Sequence, residues 1–145
     1  MTYLLDVNVL IALIDPKHLH HRSAMEWFAT TGRHDWASCP LTENGVLRIV
    51  GNPRYRNSPG SPVIVSEVLL RLRQVGHHVF WHDEISLLDT AAVDPIRLLS
   101  HEQITDTYLL ALTVAKGGKL ATFDARLTTN SVHGGAAALH LIPTA

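Results

Sequence analysis

The sequence predicts an α/β fold built on a parallel five-stranded sheet, and three observations predict it. Short apolar runs of strand character alternate with longer amphipathic stretches, the pattern of βαβ units. At 145 residues the chain fits one domain, residues 1–145, able to bury roughly two-thirds of the surface its unfolded form exposes. Acids recur at strand ends and in first helical turns, where an open α/β sheet gathers its ligands.

Strand one covers Thr2 to Leu5 and runs into Asp6; Asn8 reads as the N-cap of a helix through Val9 to Ile14, stopped by Asp15-Pro16. A second helix is expected from His18 to Thr31, with Ala24, Trp27 and Phe28 as its buried stripe and Gly32 as its end. Strand two is Trp36 to Cys39, and Pro40-Leu41-Thr42-Glu43 opens a third helix with Thr42 as N-cap. Asn52 to Pro62 holds three prolines and is a loop, which carries Arg54, Tyr55 and Arg56. A helix from Pro62 to Gln74 precedes strand three at Val79 to Trp81.

Ile104 to Lys116 has the clearest helical spacing, with Thr105 and Asp106 in its first turn and Gly117-Gly118 as its stop. Strand four, Lys119 to Phe123, delivers Asp124. A short helix from Ala125 to Asn130 and a last strand from Leu139 to Ile142 complete the set. Right-handed helical crossovers would make all five strands parallel.

Composition narrows the function. Twelve Lys and Arg against thirteen Asp and Glu give a net charge of -1, which counts against a plain polyanion-binding module. Nine of the twelve bases are arginines, whose planar fork suits bidentate phosphate contact. Cys39 is the only cysteine, so no intramolecular disulfide forms; it is expected as buried filler in a reducing, cytoplasmic setting. The longest apolar stretch, Tyr3 to Ile14, is interrupted by Asp6 and Asn8 and falls short of the ~20 residues of a membrane span. No basic segment precedes it, so neither a signal peptide nor a membrane anchor is expected.

Four acids point to chemistry. Asp6 ends strand one and Asp124 ends strand four, while Glu43 and Asp106 lie in the first turns of helices. In a sheet of order 3-2-1-4-5, strands one, two and four are neighbours, so these four positions could meet at one edge. Carboxylates brought that close raise one another's pKa unless a cation sits among them. Oxygen-only donors favour Mg²⁺ or Mn²⁺ over Zn²⁺, and such ions assist in-line phosphoryl displacement. For Glu43 or Asp106 alone, complementing a helix dipole would suffice. Asp6 resists that explanation, because it interrupts an apolar strand-helix junction where an unpaired charge is costly.

With their flanking residues these positions resemble the PIN-domain nucleases, most closely the VapC-like toxins of toxin-antitoxin pairs. Leu5-Asp6-Val7-Asn8-Val9-Leu10-Ile11-Ala12-Leu13 is similar to the family's first motif and Cys39-Pro40-Leu41-Thr42-Glu43-Asn44-Gly45-Val46-Leu47-Arg48 to its second. Ile104-Thr105-Asp106-Thr107-Tyr108-Leu109-Leu110-Ala111 is similar to the third and Leu120-Ala121-Thr122-Phe123-Asp124 to the fourth. The resemblance implies a three-layer α/β/α sandwich and a Mg²⁺- or Mn²⁺-dependent endoribonuclease inhibited by a cognate antitoxin. It implies metal-ligand roles for Asp6, Glu43, Asp106 and Asp124, with Asn8 and Thr105 orienting them. RNA as substrate, a homodimer and a toxin-antitoxin hetero-oligomer follow from the same resemblance. Past Asp124, Ala125-Arg126-Leu127 lacks the further acid that many relatives carry.

Arg48, Arg54 and Arg56 are the candidates for touching RNA; a solvated face is the plainer alternative. His18, His20 and His21 have no Cys or acid at helical spacing to complete a zinc site, and His77, His78 and His82 merely flank strand three. Two rival functions are a PIN fold that binds RNA or protein without turnover and a haloacid-dehalogenase-like phosphatase. The second is weakened by Asn8, which stands where that chemistry needs an aspartate.

Overall fold

The structure, a computed structural model, describes residues 1–144. Five short strands form one sheet: β1 (Tyr3–Leu5), β2 (Trp36–Ser38), β3 (His78–Phe80), β4 (Lys119–Thr122) and β5 (Leu139–Leu141). Their order is β3-β2-β1-β4-β5, and every neighbouring pair is parallel. Both the order and the direction agree with the sequence reading.

Successive strand residues face opposite sides of a sheet, and the strands use that alternation to build two cores. Leu5, Trp36 and Ala121 join one cluster with α1 (Val7–Ile14), α2 (His21–Thr30), α3 (Pro40–Val50) and α4 (Pro62–Leu72). Leu4, Ala37 and Leu120 join the other, with α5 (Ile104–Lys116) across from them. The result is a three-layer α/β/α sandwich. Leu4 and Leu5 are fully buried, each contributing about 2 kcal/mol of transfer free energy. A single-residue slip of β1 would reverse both faces and strand Asp6 in a core.

Helix ends are where expectation and structure part. The N-cap of α1 is Asp6 rather than Asn8: Asp6 accepts from the Val7 N–H, and Asn8 lies inside the first turn. The N-cap of α3 is Cys39, and Thr42 serves three residues later by accepting from the Cys39 N–H at 3.0 Å. α2 begins three residues later than expected, after His18 and His20 have formed a turn in which the His20 N–H donates to His18 Nδ1. The helix expected from Ala125 to Asn130 does not form; Asp124 Oδ1 accepts from the Arg126 N–H at 2.9 Å, and the chain continues as a turn. α5 matches its expected bounds, closed by Gly117 at φ 71°, a left-handed conformation that glycine adopts without strain.

Candidate active site

Leaving β1, the chain enters α1 through Asp6, which is 6% exposed. Its Oδ1 accepts from the Val7 N–H at 2.7 Å, and its Oδ2 accepts from the Thr122 hydroxyl at 2.8 Å. Thr122 ends β4, the strand beside β1. The same hydroxyl oxygen accepts from Asn8 Nδ2 at 3.1 Å and from the Asp124 N–H at 3.1 Å. A hydroxyl offers one donor and two acceptor lone pairs, and Thr122 uses all of them. Asn8 closes the network by accepting from the Phe123 N–H at 3.3 Å. One buried threonine thus fixes Asp6, Asn8 and the backbone of Asp124 together.

Asp106 stands in the first turn of α5. Burial, together with the charges of Asp6 and Asp124, pushes its pKa up to about 6. Burial likewise raises Asp6 above the usual carboxylate range, with Asp124 adding to the effect, although the Thr122 and Val7 donors oppose it. Each shift includes the charge of another aspartate of the trio, so the structure gathers Asp6, Asp106 and Asp124 into one electrostatic group. Asp6 and Asp106 line a cleft of about 420 Å³ with Asn44, Gly45, Arg48 and Thr105. At Gly45 a Cβ would lie 2.8 Å from Val7 Cγ2, so α3 approaches α1 this closely only with glycine there.

Glu43 is turned elsewhere. Its Oε2 accepts from the Ser38 hydroxyl at 2.6 Å and lies 3.5 Å from Arg73 Nη1. Ser38 has one hydrogen, so donating it to Glu43 leaves the serine to accept from His78 Nε2–H, 2.8 Å away. Burial and the nearby Arg73 and His77 push the His78 pKa down to about 4, which keeps that ring neutral. Glu43 and Arg73 border an apolar cleft with Leu47, Ser66, Leu69 and Leu70 between α3 and α4. The four-acid cluster expected from the sequence is therefore three aspartates, with the glutamate engaged by an arginine of its own chain.

Thr105 lines the aspartate cleft but forms no hydrogen bond to an acid among the described residues. Arg48 lines it too, whereas Arg54 and Arg56 are exposed on the loop after α3 and do not. Sequence reasoning missed Thr122, Asn44, Ser38 and Arg73. For Thr122 a signal was present: a lone hydroxyl residue at the end of an apolar strand, two positions before an acid.

Among the described residues no three His, Cys, Asp or Glu side chains form a ready-made set of metal ligands. The donor chemistry nevertheless fits a hard divalent cation: three carboxylates that share charge repulsion, with no sulfur or imidazole among them.

Sheet order, layer arrangement and aspartates at the carboxyl ends of β1 and β4 define a PIN-type domain. No family model matches the chain. Individual relatives do. The chain is 43% identical over 134 residues to Ribonuclease VapC44 of Mycobacterium tuberculosis, covering 92% of this chain and 94% of that one. Ribonuclease VapC39 of the same organism is 40% identical, covering 92% and 96%, and Ribonuclease VapC29 is 35% identical, covering 99% and 98%. The chain belongs to the VapC ribonuclease family.

Two solved structures share the fold at much lower identity. Mycobacterium tuberculosis VapC20, described as a Sarcin-Ricin loop cleaving toxin, superposes with a TM-score of 0.61 over 90% of this chain and 96% of its own, at 15% identity. VapBC2 of Rickettsia felis, bound to a DNA fragment from its promoter, gives 0.52 over 87% and 90%, at 12% identity.

Proposed function

We propose that this chain is a Mg²⁺- or Mn²⁺-dependent endoribonuclease and the toxin of a toxin-antitoxin pair. The carrying observation is that the fold brings Asp6, Asp106 and Asp124 within reach of one another's charge beside a cleft that Arg48 also lines. Identities of 35% to 43% with VapC ribonucleases over nearly the whole chain support it.

Asp6, Asp106 and Asp124 would hold the cation, and Glu43 would join them by exchanging Arg73 for it. Such an ion supplies a Lewis acid that activates water and stabilises negative charge on phosphate oxygens. Thr122 donates to Asp6 and accepts from the Asp124 backbone N–H, which orients the Asp6 carboxylate and ties the chain that carries Asp124 to it. Arg48 would bind an RNA phosphate at the rim, with Arg54 and Arg56 reaching further along the strand. Asn8 bonds Thr122 and the Phe123 backbone, which leaves it no acid-base role and disfavours the phosphatase alternative.

The proposed partners are an RNA substrate, an antitoxin protein and a second copy of this chain, in the cytoplasm. No helix among the described residues is long and apolar enough to cross a membrane. A circular single-stranded RNA tests the activity, because only an endonuclease opens a chain without ends. Linear product in Mg²⁺ and intact circles in chelator are expected. Retention of the circle on the protein without opening would favour the binding module.

A further inference from the structure

At the far end of α1 sits a second buried carboxylate, one the aspartate cleft does not use. Asp15 is 5% exposed, and both its oxygens are engaged. Oδ1 accepts from the Lys17 N–H at 3.0 Å, while Oδ2 accepts from Tyr55 OH at 2.6 Å and Asn57 Nδ2 at 3.0 Å. Burial opposes its charge, but these donors and the nearby His18 hold its pKa below the ordinary value. Tyr55 is correspondingly pushed up to about 12, so the phenol remains a donor.

One carboxylate thereby ties down two segments that are distant in sequence. They form the walls of a groove of about 360 Å³, lined by Pro16 and Lys17 on one side and Arg56, Asn57 and Ser58 on the other, with Asp15 between. Lys17 and Arg56 are exposed and, among the described residues, paired with no acid. A loop staple alone would account for Tyr55 and Asn57. It leaves unexplained why an unpaired cation stands on each wall.

We propose that this groove is a phosphate subsite for single-stranded RNA, with Lys17 and Arg56 as its contacts and Asp15 as the positioning residue that sets their separation. The proposal rests on the ribonuclease reading and adds the path the strand follows. Asp6 and Asp15 cap the two ends of α1, nine residue steps apart, about 14 Å at 1.5 Å per residue. Arg48, at the cleft, and Arg56, in the groove, lie near the end of α3 and in the loop that follows it, so cations continue in the same direction. A stacked strand advancing ~3.4 Å per nucleotide would reach the groove roughly three to four nucleotides from the scissile bond.

The test is the salt dependence of binding, read by fluorescence anisotropy with a fluorescein-labelled single-stranded ten-nucleotide RNA. An Asp106→Asn background at fixed low Mg²⁺ prevents cleavage. For single strands each phosphate contact contributes ~0.7 to the slope of log affinity against log salt. Lys17→Gln combined with Arg56→Gln should flatten the slope by about 1.4 on that scale. Arg22→Gln combined with Arg97→Gln removes two cations already paired to Glu26 and Asp94 and should leave it unchanged. Asp15→Asn should flatten it with both cations intact, and Tyr55→Phe should act in the same direction if that variant does not fold. An unchanged slope in the Lys17/Arg56 variant, or an equal loss in the control pair, overturns the subsite. If the wild-type protein opens the RNA circle, that failure belongs to the groove alone; if wild type neither binds RNA nor opens circles, both readings fall.

Discussion

Thr122 donates its only hydroxyl hydrogen to Asp6 across the β1–β4 boundary, at 2.8 Å, while accepting from Asn8 and Asp124. Thr122→Val keeps the shape but leaves a buried carboxylate, an amide and a backbone N–H short of a partner. The cost should be about 2 kcal/mol in urea unfolding, with divalent-metal affinity falling roughly tenfold or more. Thr122→Ser restores the hydroxyl and should recover most of both.

Asp106 should make the metal-free protein less stable as pH rises. Its pKa is about 6 in the fold against an ordinary 3.8, so below 3.8 the folded and unfolded states are equally protonated and it contributes nothing. Between those values the folded state keeps its proton longer, so stability falls as pH rises and the full cost is reached above about 6. Asp106 is partly exposed, and solvent screening reduces that cost to about 1 kcal/mol. Unfolding in metal-free buffer at pH 4 and pH 7 should show Asp106→Asn gaining on wild type at the higher pH. No relative gain would mean that the aspartates do not repel.

Arg73 and Glu43 offer a separable prediction. If metal entry requires Glu43 to give up Arg73, Arg73→Gln should tighten Mn²⁺ binding several-fold in calorimetry. Adding Glu43→Gln should erase the gain. Arg73→Gln with unaltered affinity would leave Glu43 outside the ligand set.

The proposed antitoxin would bury the apolar cleft between α3 and α4, where Leu70 is 57% exposed beside Leu69 and Leu47. Leu70→Glu should weaken that complex at least tenfold while RNA cleavage persists. Because Glu43 borders the cleft, raising Mg²⁺ at constant ionic strength should also loosen the complex. Antitoxin affinity indifferent to both changes would place the contact elsewhere.

Strand order and the positions of Asp6, Asp106 and Asp124 were legible because they depend on element sequence and strand ends, which apolar periodicity reveals. The direction of Glu43 was not. A first-turn residue can face either neighbour of its helix, and the deciding partners, Ser38 on β2 and Arg73 at the end of α4, are distant in sequence. Asp15 was read only as a helix stop, because Tyr55 and Asn57 reach it from about forty positions away. The helix expected after Asp124 is absent although Asp124 accepts from the Arg126 N–H as an N-cap would, because a cap alone does not propagate a short isolated helix.

Three aspartates are proposed to hold the divalent cation on which cleavage depends. Single-turnover cleavage of one RNA, followed across a Mn²⁺ titration beside calorimetric Mn²⁺ binding, tests it for wild type and for Asp6→Asn, Asp106→Asn and Asp124→Asn. Each variant should lose binding and cleavage together, at least a hundredfold, while remaining folded. Wild-type cleavage undiminished in excess chelator, or variants that cleave normally without binding the ion, would contradict it.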